Sequence, residues 1–128
     1  MTLDSSALIA ILFAEAGHLA LVDRILEAET VRVGTPTLVE TSMVFAGRRR
    51  AKSADEVDAL VHELGVHVAP FGEREWHVAV AAFLRFGRGR HQAGLNFGDC
   101  LAYASAFVAN DSLLFTGDDF RRTDITAA

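Results

Sequence analysis

At 128 residues, with 51% hydrophobic content, two prolines and one cysteine, the chain suits one compact domain spanning residues 1–128 and excludes a disulfide scaffold or a fibrous protein. No run approaches the ~20 apolar residues of a membrane span, and no basic segment precedes the first apolar stretch, so neither an anchor nor a leader is expected and a reducing, cytoplasmic location follows. The net charge of −5 argues against a nucleic-acid partner until its distribution is considered.

Arg supplies eleven of the twelve basic residues, with Lys52 the single Lys. They cluster as Arg48-Arg49-Arg50 and as Arg85, Arg88, Arg90 beside His91. Arg forks phosphate well. Each cluster taken singly is equally compatible with a solvated helix end.

In chain order, Leu3 to Phe13 reads as a very short strand and then an apolar helix, with Asp4 or Ser5 as its N-cap. A second helix is expected over residues 17–29, with Leu19, Leu21, Val22, Ile25 and Leu26 inward. Val31-Arg32-Val33 suits a strand, and Thr35-Pro36 opens a third helix with Thr35 as cap. That helix is expected to carry Leu38, Val39, Met43 and Val44 inward, with Glu40 in its second turn. Ser53 and Glu56 stand three apart, the spacing of a capping box, and Gly65 ends the helix they open. Residues 66–69 form a further strand, closed by Pro70.

Residues 73–86 have helical periodicity through Trp76, Val80, Phe83 and Leu84. A Gly- and Arg-rich loop follows at 87–94, then a helix over residues 100–109 with Leu101, Ala104, Phe107 and Val108 on its apolar side. Leu113-Leu114-Phe115 is a last strand, ahead of the acidic turn Gly117-Asp118-Asp119-Phe120. Short apolar strands alternating with helices indicate an α/β domain of three layers, with a central, mainly parallel sheet of four to five strands.

Sites in such sheets collect past the carboxyl ends of the strands. Asp4 follows the first strand, Asp118 and Asp119 follow the last, and Asp99 and Glu40 sit near helix starts. None of these positions needs a carboxylate for packing. Acids meeting in a pocket of low dielectric repel one another, and a divalent cation removes the conflict. Hard oxygen donors select Mg²⁺ or Mn²⁺ over Zn²⁺. Each acid also has a plainer role open to it: helix caps at Asp4 and Asp99, a surface glutamate at Glu40, turn formers at Asp118 and Asp119.

The whole pattern is more specific than its parts. Leu3-Asp4-Ser5-Ser6-Ala7-Leu8 resembles the opening strand and turn of PIN domains, and Thr37-Leu38-Val39-Glu40 their helix-borne glutamate. Leu95-Asn96-Phe97-Gly98-Asp99-Cys100 and Leu113-Leu114-Phe115-Thr116-Gly117-Asp118-Asp119-Phe120 resemble two further elements of the VapC toxins, in the expected order.

The resemblance implies a PIN fold and a metal-dependent endoribonuclease, the toxin of a type II toxin–antitoxin pair. It implies that Asp4, Glu40, Asp99 and Asp119 form the acidic site, with Asp118 in a more variable position. Ser6 and Asn96 are candidates for substrate contact, equally compatible with cap and turn roles, and Arg88 and Arg90 are candidates for phosphate. The implied partners are RNA, a VapB-like antitoxin and a second copy of the chain. The five histidines are scattered and form no metal pair.

Two rival readings carry different sequence requirements. A receiver-like signalling domain needs a Lys late in the sheet, and Lys52 lies between the third and fourth helices instead. A catalytically silent module that uses the acidic pocket or an apolar face only to bind a partner is disfavoured by intact acids at all four positions.

Overall fold

The computed structural model describes residues 1–50 and 52–128. Four strands, β1 (Thr2–Leu3), β2 (Arg32–Gly34), β3 (His67–Ala69) and β4 (Leu113–Leu114), form one sheet in the order β3-β2-β1-β4. Every pairing is parallel: Thr2 lies opposite both Arg32 and Leu113, and Val33 opposite Val68. Among the described residues, six helices cover the sheet: α1 (Ser5–Leu12), α2 (His18–Glu27), α3 (Thr35–Arg49), α4 (Asp55–Glu63), α5 (Glu73–Phe86) and α6 (Phe97–Ala109). Among the described residues, no helix is long and apolar enough to cross a membrane.

Side chains alternate along a strand, so a sheet with both faces covered must send neighbours into different cores. That is what β4 does. Leu113 joins a cluster with Ala79, Ala82, Phe86 and Tyr103 from α5 and α6. Leu114 joins the opposite cluster with Leu3, Leu8, Ile25, Val33 and Val66.

Several expectations about helix faces and caps are corrected. In α2 only Ile25 is buried, while Leu19 and Leu26 point to solvent. In α3 the buried residues are Thr37, Thr41 and Phe45, and Val39 and Met43 are exposed. In α5 the core takes Ala79, Ala82 and Phe86 and leaves Trp76, Val80, Phe83 and Leu84 outside. Small residues let α5 approach the alanines of α6 closely, so the bulky stripe has no room on that side. Phe107 of α6 is likewise exposed.

Gly34, not Thr35, is the N-cap of α3, with Thr35 and Pro36 in its first turn. Ser53 makes no cap: α4 begins after Ala54 without a side-chain bond, its terminus served by Asp55, Glu56 and Asp58 in the first turn. Helix α6 starts at Phe97, three residues earlier than its apolar pattern indicates, because Asn96 caps it.

Candidate functional site

The strands β1 and β2 end in helices with almost no intervening loop, which fixes where the first two acids stand. Asp4 is the single residue between β1 and α1, and it caps that helix, its Oδ2 accepting from the Ser6 N–H at 3.0 Å. Ser6 Oγ also donates to Asp4 Oδ2 at 2.5 Å and accepts from the Thr116 N–H at 3.0 Å. Ser6 thus ties the end of β1 to the segment leaving β4, and it holds one oxygen of Asp4 in place. The other oxygen, Oδ1, is buried with no hydrogen-bond partner.

Glu40 arrives from the second turn of α3 and lies against the start of α6. A Cβ on Gly98 would sit 2.6 Å from Glu40 Oε2 and closer still to Oε1, so the absent side chain at residue 98 is the space the carboxylate occupies. In the sequence Gly98 stands out only as part of a motif, and this role is not evident there. The signal was a glycine in a helix's first turn, where propensity disfavours it.

We expect Gly98→Ala to displace the flexible end of Glu40 while the fold survives. Any activity that depends on Glu40 should then fall on the order of a hundredfold, the usual cost of a misplacement of about 1 Å, with little change in melting temperature. Wild-type activity in this variant would show that Glu40's position does not matter.

Asp99 is the third residue of α6 and half of a reciprocal cap. Its N–H donates to Asn96 Oδ1 at 2.9 Å, and its Oδ2 accepts from the Asn96 N–H at 2.8 Å. Asn96 is therefore a cap that orients Asp99, and its amide oxygen is already engaged.

The loop before it is closed by bonds between Arg88 N–H and Leu95 O and between Leu95 N–H and Phe86 O, both 3.0 Å. This closure brings Arg88 within electrostatic reach of Asp99. Arg90 instead lies over the Phe83 ring, its guanidinium carbon 5.5 Å from the centroid. Asp119 acts on Asp99 from the turn after β4. Asp118 points elsewhere, its carboxylate 3.6 Å from Arg121 Nε in an exposed pair.

Burial dominates the electrostatics. Asp4 is 3% exposed, and desolvation holds its carboxyl above the usual range; the Ser6 bonds oppose this and the Glu40 charge adds to it. Asp99 is raised for the same first reason, with the Asn96 N–H lowering it, Asp4 and Asp119 raising it, and Arg88 lowering it. Cys100, next along α6, is pushed up to about 11 by burial and by Asp99, which leaves it an inert thiol.

Among the described residues, no three His, Cys, Asp or Glu side chains stand together as a ready-made ion shell. The acids instead feel one another's charge, Asp4 that of Glu40 and Asp99 those of Asp4 and Asp119. The donor set nonetheless fits a hard divalent cation: it is all oxygen, and the one fully buried acid keeps an oxygen unpartnered. An ionised carboxylate left half-satisfied at that depth is costly without a countercharge.

A parallel sheet with acids gathered past its strand ends defines an α/β protein built around an oxygen-donor pocket. The chain belongs to the PIN-domain family, whose profile matches residues 1–125. It is 39% identical over 129 residues to Ribonuclease VapC28 of Mycobacterium tuberculosis, covering 100% of this chain and 97% of that one. To Ribonuclease VapC of Mycolicibacterium smegmatis it is 36% identical over 127 residues, covering 99% and 98%.

Two solved structures share the fold. Mycobacterium tuberculosis VapC20, described as a Sarcin-Ricin loop cleaving toxin, superposes with a TM-score of 0.78 at 17% identity, over 99% of this chain and 97% of that one. A toxin–antitoxin complex from Klebsiella pneumoniae gives 0.73 at 13% identity, over 99% and 95%.

Proposed function

We propose that this chain is a divalent-metal-dependent endoribonuclease, the toxin of a type II toxin–antitoxin pair, acting in the cytoplasm as a single PIN domain. The observation that carries the reading is the buried Asp4 carboxylate with one unpartnered oxygen, set among Glu40, Asp99 and Asp119. The curated relatives named as VapC ribonucleases, matched end to end, supply the reaction class.

Asp4, Glu40, Asp99 and Asp119 would hold Mg²⁺, with Mn²⁺ as the alternative, since carboxylate oxygens suit both. Such an ion activates water at neutral pH and offsets charge developing on the phosphate.

The chain's own residues do the rest. Ser6 keeps Asp4 Oδ2 engaged, so that Oδ1 is the oxygen left for the cation. Glu40 or Asp119, whichever carboxylate faces the attacking water, takes its proton as general base. Arg88, poised beside Asp99, meets the scissile phosphate, and the exposed Arg90 extends that contact along the strand.

A VapB-like antitoxin and a second copy of the chain are the proposed protein partners. Val39, Met43, Trp76, Val80, Phe83 and Phe97 leave a broad apolar surface exposed beside Glu40, more than scattered surface residues account for.

The test is cleavage of a structured RNA with and without chelator, together with a melting curve. The acid cluster strains the free protein, so millimolar Mg²⁺ or Mn²⁺ should raise its melting temperature; about 2.7 kcal/mol corresponds to a hundredfold excess over Kd. An unchanged melting curve together with no RNA cleavage would remove the reading.

A further inference from the structure

The clustered arginines at the end of α3 are not used by the chemistry above. Helices α1 and α3 follow neighbouring strands, pack on each other and both start at the acidic pocket. Their far ends meet in a second feature. Phe13, the C-cap residue of α1, packs on the buried Phe45 with ring centroids 5.8 Å apart. The guanidinium carbons of Arg48 and Arg49 stand 5.3 and 5.4 Å from the same Phe13 ring. Arg50 caps the helix in the left-handed conformation, with φ at 51°, and is exposed.

A helix C-terminus gains from one or two cations in its last turn. Three successive arginines exceed that need, and gathering two guanidiniums on one ring brings like charges together. Among the described residues, only Glu15 opposes them directly, 3.0 Å from Arg48, and both members of that pair are about half exposed. Further along, Asp55, Glu56 and Asp58 serve the N-terminus of α4. Two planar cations fixed over an aromatic ring present N–H edges outward for phosphate and flat faces for bases, which suits a single-stranded nucleic acid. Glu40 lies eight residues before Arg48, so the two ends of this face are separated by about 12 Å along α3. That is within reach of a few nucleotides of the same strand.

We propose that Arg48, Arg49 and Arg50, braced on Phe13, form a second RNA-backbone subsite that grips the substrate strand a few nucleotides from the bond being cut. The subsite rests on the ribonuclease reading of the acidic pocket. It explains how a chain of net charge −5 can hold a polyanion: attraction is concentrated at one end of the α1–α3 pair and on Arg88 at the other.

The experiment compares wild type, Arg48→Gln/Arg49→Gln and Arg48→Lys/Arg49→Lys on two single-stranded RNAs. One is long enough to span both sites, and the other is trimmed to the cleavage site. For the Gln pair, KM on the long RNA should rise with kcat unchanged. The slope of log affinity against log salt should become shallower by roughly 1.4, about 0.7 for each of two phosphates no longer neutralised. On the trimmed RNA the Gln pair and wild type should match, which also shows that the variant is folded. The Lys pair should recover the salt slope but only part of the affinity, because stacking is lost.

Equal KM values on the long RNA for all three proteins overturn the subsite while leaving the ribonuclease reading intact. Wild type that cuts neither these RNAs nor a structured one, and whose melting curve Mg²⁺ or Mn²⁺ leaves unmoved, removes that reading itself. Polyglutamate that binds the patch more tightly than RNA of equal charge would assign it to an acidic peptide and overturn the proposal.

Discussion

Asp4→Asn and Asp99→Asn should each reduce metal-dependent RNA cleavage by more than about a hundredfold, since even the partners that merely orient metal ligands contribute 10–100-fold. Both substitutions keep the side-chain volume, and an asparagine oxygen can still accept the capping N–H, so the folds survive. At Asp4 the stability effect has the opposite sign to the activity effect. Burial raises its carboxyl above the usual range, so between the unfolded and folded values the native state holds more protons than the unfolded chain. Wild-type stability therefore rises as pH falls through that window and is lower at neutral pH, where the buried group is ionised. In metal-free buffer at pH 7, Asp4→Asn should melt above wild type, and acidification should narrow the gap. Adding Mg²⁺ should stabilise wild type and leave the variant unmoved. Cleavage at the wild-type rate by either variant at saturating metal would remove that residue from the ligand set. Melting below wild type at pH 7 would show that Asp4's ionised form is well compensated without a cation.

How far the fold was legible depends on which physical scale decided each feature. The span of α5 was legible to the residue, since Gly72 and Gly87 bracket a clear periodic stretch. Its orientation was not. Trp76, Val80, Phe83 and Leu84 form the more hydrophobic stripe, yet the core took Ala79 and Ala82, because the choice between two apolar faces lies in the partner helix α6. The same inversion put Val39 and Met43 outside and Thr37 and Thr41 inside. Chain order and the strand–acid junctions were legible because they are local: a strand of two residues followed at once by Asp4 and a helix leaves the carboxylate little choice of place. The Glu40–Gly98 contact was not legible, being a meeting of α3 and α6 across 58 positions of sequence. For the acids as a set, spacing left plainer roles open, and the ordered motifs carried the reading.

Asp119→Asn should reduce cleavage far more than Asp118→Asn, although the two residues are adjacent and share a charge. Their backbone is turned, not extended: Gly117 has φ at 86°, and Asp119 leads into the single 3₁₀ turn Phe120–Arg122. Successive side chains in such a turn diverge widely about its axis, so only one of the two can face the pocket. Phe120 decides which. Its ring is buried at 3% exposure and packs on Phe115 with centroids 5.0 Å apart, which pins the turn to the end of β4. With that residue fixed, Asp119 acts on Asp99 across the pocket, whereas Asp118 is turned to solvent beside Arg121. An exposed pair of that kind contributes at most about 1 kcal/mol to stability and nothing to the pocket. Single-turnover rates over a range of Mg²⁺ concentrations separate the cases. Asp119→Asn should lower the rate and shift its metal dependence to higher concentration, and Asp118→Asn should leave both within about twofold of wild type, as surface substitutions commonly do. A larger loss at Asp118 would place the acid one residue earlier and break the argument from the Phe120 anchor. Equal losses at both would mean that Asp4 and Asp99 hold the cation without either.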